Sequence, residues 1–177
     1  MLKKDGFVLQ DVRNDANNEH IGVRKQFLID DSLMEVSAKY TLENQSSRHL
    51  SLWFGVEINF SFLAADSPLH YCIFPDYNKE QFAINSKGEI TNLSRFELVD
   101  EWSGIGIDMI LPPGSDLWRF PIETVSQSEE GLERTYQGTT FLVHWKIALK
   151  PGDIQEKTVK ICPYTFAGQK EKNISRC

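Results

Sequence analysis

The sequence predicts an all-β protein built as a large antiparallel β-sandwich. Three observations point there. Apolar residues recur at every second position in run after run, the pattern of strands that bury one face. Clusters of turn-forming residues separate those runs at short intervals. No long segment holds a helical period.

Taken in chain order, "IGVRKQFLID" places Ile21, Val23, Phe27 and Ile29 on one parity, with Leu28 out of step. Asp30-Asp31 then reads as a short hairpin loop. "LMEVSAKYTLEN" returns with Met34, Val36, Ala38, Tyr40 and Leu42 on one face and Glu35, Ser37, Lys39 and Thr41 on the other. "ENQSSRH" closes that strand. "LWFGVEINFSF" puts Phe54, Val56, Ile58, Phe60 and Phe62 inward. Asn78–Gln81 is the best candidate for a short helical turn. "SKGE" predicts a tight turn at Gly88, "PPGSD" a loop after "IGIDMIL", and "KPGD" a turn before "KTVKICPY". "FLVHWKIAL" alternates Phe141, Val143, Trp145, Ile147 and Leu149 against His144 and Lys146. The pattern predicts roughly eleven to thirteen strands.

A chain of 177 residues, 41% hydrophobic and 25% charged, suits one ordinary domain with a sizeable core. Residues 1–166 are expected to form it. Residues 167–177 are expected to be a disordered tail, with Ile174 as their one apolar anchor. The net charge of −6, with no basic block beyond "QKEK", argues against nucleic acid or an anionic membrane as partner. Cys72, Cys162 and Cys177 are odd in number and lack a CxxC spacing, so reduced, buried thiols are expected. The Asp residues at 66, 76, 100, 108, 116 and 153 lie in or beside turns without a calcium-loop spacing, and no metal is expected. Nor does any residue pattern call for a cofactor. The start "MLKKDGFVLQ" has no apolar signal region, no run reaches membrane length, and a cytoplasmic protein is expected. The sequons at Asn44, Asn92 and Asn173 then read as chance.

Two stretches carry unusual chemistry. Opposite the Phe-rich side of residues 52–62 stand Trp53, Gly55, Glu57, Asn59 and Ser61. An indole, a gap, a carboxylate and an amide suit a polyhydroxylated ligand. A sugar stacks its C–H face on an aromatic ring and pairs its hydroxyls with carboxylate and amide. A wet sheet face, or one covered by a neighbouring domain, is the plainer reading. "PIETVSQSEEGLERTYQG", residues 121–138, has the same character. It opens like a buried strand, with Pro121, Ile122 and Val125. Trp118, Phe120, Ile122 and Thr124 share one parity, and Arg119, Glu123 and Val125 the other. Ser126–Ser128 reads as a loop and Glu129-Glu130-Gly131 as the turn. Glu123, Gln127, Glu129 and Gln137 gather at this polar end.

"FGVEINFSFLA" and, later, "LWRFPIETVSQSEEGLERTYQG" resemble the C-terminal domain of glycoside hydrolase family 57 enzymes, the 4-α-glucanotransferases and related α-amylases. The resemblance runs from about Ile21 to Ile161. It implies a galactose-mutarotase-like super-sandwich. It also implies a preceding catalytic (β/α) barrel as partner, which supplies a carboxylate pair for retaining chemistry on α-glucans. This chain has no parallel α/β pattern, so no catalytic residue of the family can be placed on it. An excised domain or a separately encoded one fits equally.

The leading expectation is therefore an accessory domain without catalysis of its own. It packs on the barrel and contributes to binding α-glucan or malto-oligosaccharide, with Trp53, Glu57, Asn59, Glu123, Gln127, Glu129 and Gln137 facing sugar or barrel. A second reading is a stand-alone mutarotase-like epimerase using a Glu57–His144 acid–base pair, against which stands a plain surface histidine. A third is a purely structural or homodimer-forming domain.

Overall fold

The computed structural model describes residues 2–9, 18–63, 66–128 and 131–165. Among them are ten strands and no α-helix: β1 (Leu2–Leu9), β2 (Asn18–Asp30), β3 (Glu35–Asn44), β4 (Leu50–Phe60), β5 (His70–Phe74), β6 (Asn78–Ala83), β7 (Gly88–Asp100), β8 (Ile105–Ser128), β9 (Gly131–Leu149) and β10 (Ile154–Thr165). All the pairings are antiparallel. One layer runs in the order β1-β2-β3-β10-β8-β7-β5-β6, and β4-β9 joins the far half of β8.

The long strand β8 makes the sandwich. Its first half, Ile105–Ile110, lies between β10 and β7. Its second half, from Asp116 on, pairs with β9. Between them the register with β7 shifts twice, at Ile90/Leu93 and Leu93/Arg95. Gly114 and Asn92 take left-handed φ values of 72° and 54° there. Bulges of this kind bend a strand, and here they carry it from one layer to the other. Ser115 Oγ donates to Pro112 O at 2.6 Å and accepts from Trp145 Nε1 at 2.8 Å, both on the buried side of the bend.

Phe-rich inner faces fill the space between layers. Phe96 of β7 stacks on Phe141 of β9 at 5.1 Å, and Phe54 of β4 meets Tyr40 of β3 edge-on at 5.6 Å. Trp145, Phe74, Phe96 and Phe141 are almost wholly buried, each worth about 1.5–3 kcal/mol. Asn44 knots one end of the stack. Its Nδ2 donates to Arg48 O and Leu149 O, and its Oδ1 accepts from Ser46 N and Ser46 Oγ. Cys72 and Cys162 are buried.

Several sequence expectations are corrected. Asn78–Gln81 is no helical turn but part of edge strand β6, where Phe82 packs edge-on against Phe74 at 5.5 Å. "PPGSD" is the bend inside β8 rather than a loop, and Ser126–Ser128 continue β8 opposite Gly131–Glu133. These mergers bring the strand count below the expected range. Gly88 opens β7 instead of forming a turn. It stands opposite Arg119, whose Nη1 would lie 2.6 Å from a Cβ at this site. Phe27, Ile29 and Met34 are more than half exposed despite sharing the parity of core residues, because they sit at the β2–β3 hairpin tip. In β8 the buried parity is Leu117 and Arg119, so Trp118, Phe120 and Ile122 face outward at 37–38% exposure. Glu129 and residues 167–177 lie outside the described residues.

Candidate functional site

The outer face of β4-β9-β8 follows from register. Trp53, Gly55, Glu57 and Asn59 of β4 stand directly opposite Lys146, His144, Leu142 and Thr140 of β9. Across β9, His144, Leu142 and Thr140 stand opposite Asp116, Trp118 and Phe120 of β8. Side chains at paired positions share a face. The core residues between them, such as Val56, Phe141 and Leu117, point the other way.

Two groups form on this face. The aromatic one is Trp53, His144 and Trp118. The Trp53 indole lies parallel to the imidazole, 7° between planes and 5.1 Å between centroids. Trp118 approaches the imidazole to 4.5 Å and Trp53 to 5.6 Å. Lys146 Nζ sits over the Trp53 ring at 5.4 Å. Trp53 remains 57% exposed, whereas His144 beneath it is 5% exposed. The polar group is a relay. Thr140 Oγ1 donates to Asn59 Oδ1 at 2.8 Å, and Asn59 Nδ2 donates to Glu57 Oε1 at 2.9 Å. That relay fixes which end of the amide points which way. It leaves the second Glu57 oxygen to other donors. So Trp53, Glu57 and Asn59 do share one exposed face.

The β8–β9 ribbon beyond Pro121 answers for the polar run 121–138. It is an arm exposed on both sides, which is why its side chains can be hydrophilic at alternate and successive positions. A bulge between Ile122 and Glu123 leaves Gln137 unpaired in the ladder. Gln137 Nε2 turns to Thr124 Oγ1, and its carbonyl accepts from Ser61 Oγ at 2.8 Å. Glu123 pairs in register with Tyr136, which packs toward the core, and binds Arg134 at 3.1 Å. Glu123 therefore lies on the opposite side of the ribbon from Phe120 and Ile122. Gln127 sits farther out, opposite Leu132. The structure groups Trp53, Glu57 and Asn59, and sets Glu123, Gln127 and Gln137 along the arm.

Sequence reasoning missed Trp118 as a site residue and took His144 for a surface group. Parity did put His144 opposite the core row of its strand. It also missed a cluster on the outer face of the other layer. Arg95 Nε donates to Asp108 Oδ1 at 2.6 Å, Arg95 Nη2 to Glu97 Oε1 at 2.7 Å, and Tyr164 Oη to Glu97 Oε2 at 3.0 Å. Burial works against the Arg95 charge, but Asp108 and Glu97 hold its pKa above the ordinary value. Burial, reinforced by Glu97, pushes the Tyr164 hydroxyl upward. Nearby, Tyr71 donates to Glu101 Oε1, and burial with that contact pushes its hydroxyl up to about 12. These groups satisfy one another. Among the described residues, no cluster of His, Cys, Asp and Glu is arranged to hold a metal ion. None of these residues forms a helix long and apolar enough to cross a membrane.

A third surface is rich in apolar side chains. At the β2–β3 tip, Phe27, Leu28, Ile29, Leu33 and Met34 are 52–74% exposed. Asp30 Oδ1 holds the turn by accepting from Ser32 N and Leu33 N.

Comparison with known proteins settles the lineage. Residues 2–157 match the model of the family described as alpha-amylase/4-alpha-glucanotransferase, C-terminal. The chain belongs to this family. It is similar to alpha-amylase 1 of Dictyoglomus thermophilum, 38% identical over 130 residues that make up 71% of this chain and 18% of that protein. Its fold is similar to the crystal structure of 4-alpha-glucanotransferase from Thermococcus litoralis, with a TM-score of 0.64 and 22% identity, over 90% of this chain and 20% of that one. It is also similar to a putative aldose 1-epimerase from Escherichia coli K12, with a TM-score of 0.67 and 12% identity, over 92% of this chain and 64% of that one. The fold is thus the sandwich of mutarotase-like proteins. The chain spans about a fifth of the length of the two amylase-type relatives.

Proposed function

We propose that this chain is the non-catalytic C-terminal domain of an α-glucan-processing enzyme of the amylase or 4-α-glucanotransferase type. The observation that carries this reading is the family match over residues 2–157, in a chain that covers 18–20% of such relatives. On this reading a catalytic (β/α) barrel is its partner. Two exposed surfaces divide the work by their chemistry. The β2–β3 tip offers aliphatic side chains on both faces of a hairpin, suited to burial against protein. The Trp53 face interleaves indoles with a carboxylate–amide relay, suited to a sugar.

The epimerase reading is disfavoured by the acid–base pair it requires. Glu57 is engaged by Asn59, and neither ring nitrogen of His144 has a hydrogen-bond partner.

Two measurements on the 177-residue chain test the proposal. Incubation with maltoheptaose should yield no shortened or lengthened products, and product formation would overturn the non-catalytic role. Titration with maltotriose should change tryptophan fluorescence saturably at millimolar sugar. A flat titration, with circular dichroism showing folded strands, discards glucan contact.

A further inference from the structure

The burial of His144 is expensive in a way the fold itself does not explain. The side chain stands on the outer face of the sheet, yet it is 5% exposed because the two indoles close over it. Nδ1 and Nε2 both lack a hydrogen-bond partner. A neutral imidazole carries one donor and one acceptor, and leaving such a group unmade away from water is unfavourable. The cover is itself ill-placed, since Trp53 keeps 57% of its surface in water to hide a polar ring. A phenylalanine at 144 could make the same stack without orphaned nitrogens. The position directly opposite on β4 is Gly55, where a Cβ would meet Leu142 Cδ1 at 3.2 Å and His144 Cβ at 3.9 Å. Asp116, directly opposite on β8, is turned to another task, accepting from Asn92 N at 3.0 Å.

We infer that His144 is the hydrogen-bonding floor of a pyranose subsite, with Trp53 as its movable cover and Trp118 as its fixed wall. Trp53 is held by the imidazole stack, by its contact with Trp118 and by Lys146, all on a solvent-facing surface. When it swings outward, the imidazole nitrogens meet the hydroxyls of one glucose unit. An indole then stacks on the C–H face of the sugar, and the second Glu57 oxygen accepts a further hydroxyl. The ligand thereby supplies the partners that the unliganded fold denies to His144. This inference rests on the glucan-contact reading above and names the residue at its centre.

The test is a maltotriose titration of the full chain and of His144→Phe, which keeps the ring stack and removes both nitrogens. The variant should bind at least about tenfold more weakly, a fold-change equivalent to about 1.4 kcal/mol. Its urea midpoint should be equal or higher, since no polar group is then buried unpaired at this position. Long-range 15N NMR of the unaltered chain should show both His144 nitrogen resonances moving with added maltotriose. This second measurement needs no variant to fold. Wild-type binding with the same affinity in His144→Phe, or with unmoved His144 nitrogens, overturns the subsite while the glucan-contact reading stands. No binding by the wild-type chain overturns both.

Discussion

Replacing Arg95 with methionine should cost the fold about 3 kcal/mol at pH 7. Arg95 bridges Asp108 and Glu97, whose side chains are 7% and 14% exposed and stand directly opposite each other on β8 and β7. Methionine preserves the stem and removes the cation. Two nearly buried carboxylates are then left side by side. Breaking a buried pair by deleting one partner costs roughly 3–5 kcal/mol. The lower end applies because Arg95 is 23% exposed and Glu97 keeps the Tyr164 hydroxyl. Two-state domains have about 5–15 kcal/mol to lose, so the variant should fold but unfold at lower urea. With a slope of about 2 kcal/mol/M, the midpoint should fall by about 1.5 M. Urea titrations of wild type and variant at pH 7 measure this. A deficit under about 1 kcal/mol refutes the assignment of Arg95 as the charge that makes this buried cluster tolerable.

Two further outcomes follow from geometry. Tyr71 is buried and its hydroxyl is pushed up to about 12, so the neutral form is favoured in the fold. The resulting stabilisation is complete below the unfolded tyrosine value near about 10 and is lost as pH rises from there through about 12. Urea midpoints should fall over that window, and Tyr71→Phe should flatten the fall; an identical slope in the variant refutes the link. Asn44→Ala leaves Leu149 O without this side-chain donor and Ser46 N without its acceptor, while Arg48 O keeps Ser46 Oγ. A loss of about 3 kcal/mol is expected in urea unfolding, and a loss under about 1 kcal/mol would show that water replaces the knot.

Much of the architecture was legible because strand alternation is a local property. Ala38, Tyr40 and Leu42 alternate in sequence and line the core in space. Where alternation misled, the cause was position in the sheet. Phe27 and Ile29 keep the parity of Ile21, but the sandwich ends before it reaches them, and their side chains stand in water. Pro121, Ile122 and Val125 looked like the opening of a buried strand because they are apolar, yet Ile122 and Val125 are 37% and 56% exposed. The core instead took Leu117 and Arg119, the latter lodged over the Phe74 and Phe82 rings at 5.1 and 4.7 Å. "PPGSD" has every mark of a loop, yet Ser115 and Trp145 bind it into a continuous strand.

The candidate site was half legible. Trp53, Glu57 and Asn59 were marked by their chemistry on an otherwise alternating strand, and one strand is enough to see that. Trp118 and His144 come from β8 and β9, about 65 to 90 positions from Trp53, and nothing in a single strand says which partner lies beside it.

From its residues alone, this chain was determined to be an antiparallel, all-strand protein with a Phe-rich interior, since each strand chooses its buried side within a few neighbouring positions. Register decided the rest: that two indoles close over an imidazole with both nitrogens unpaired, and that Arg95 sits between two carboxylates. Such meetings depend on how distant strands are aligned, and alignment is set by the packing of the whole sandwich rather than by any stretch of sequence.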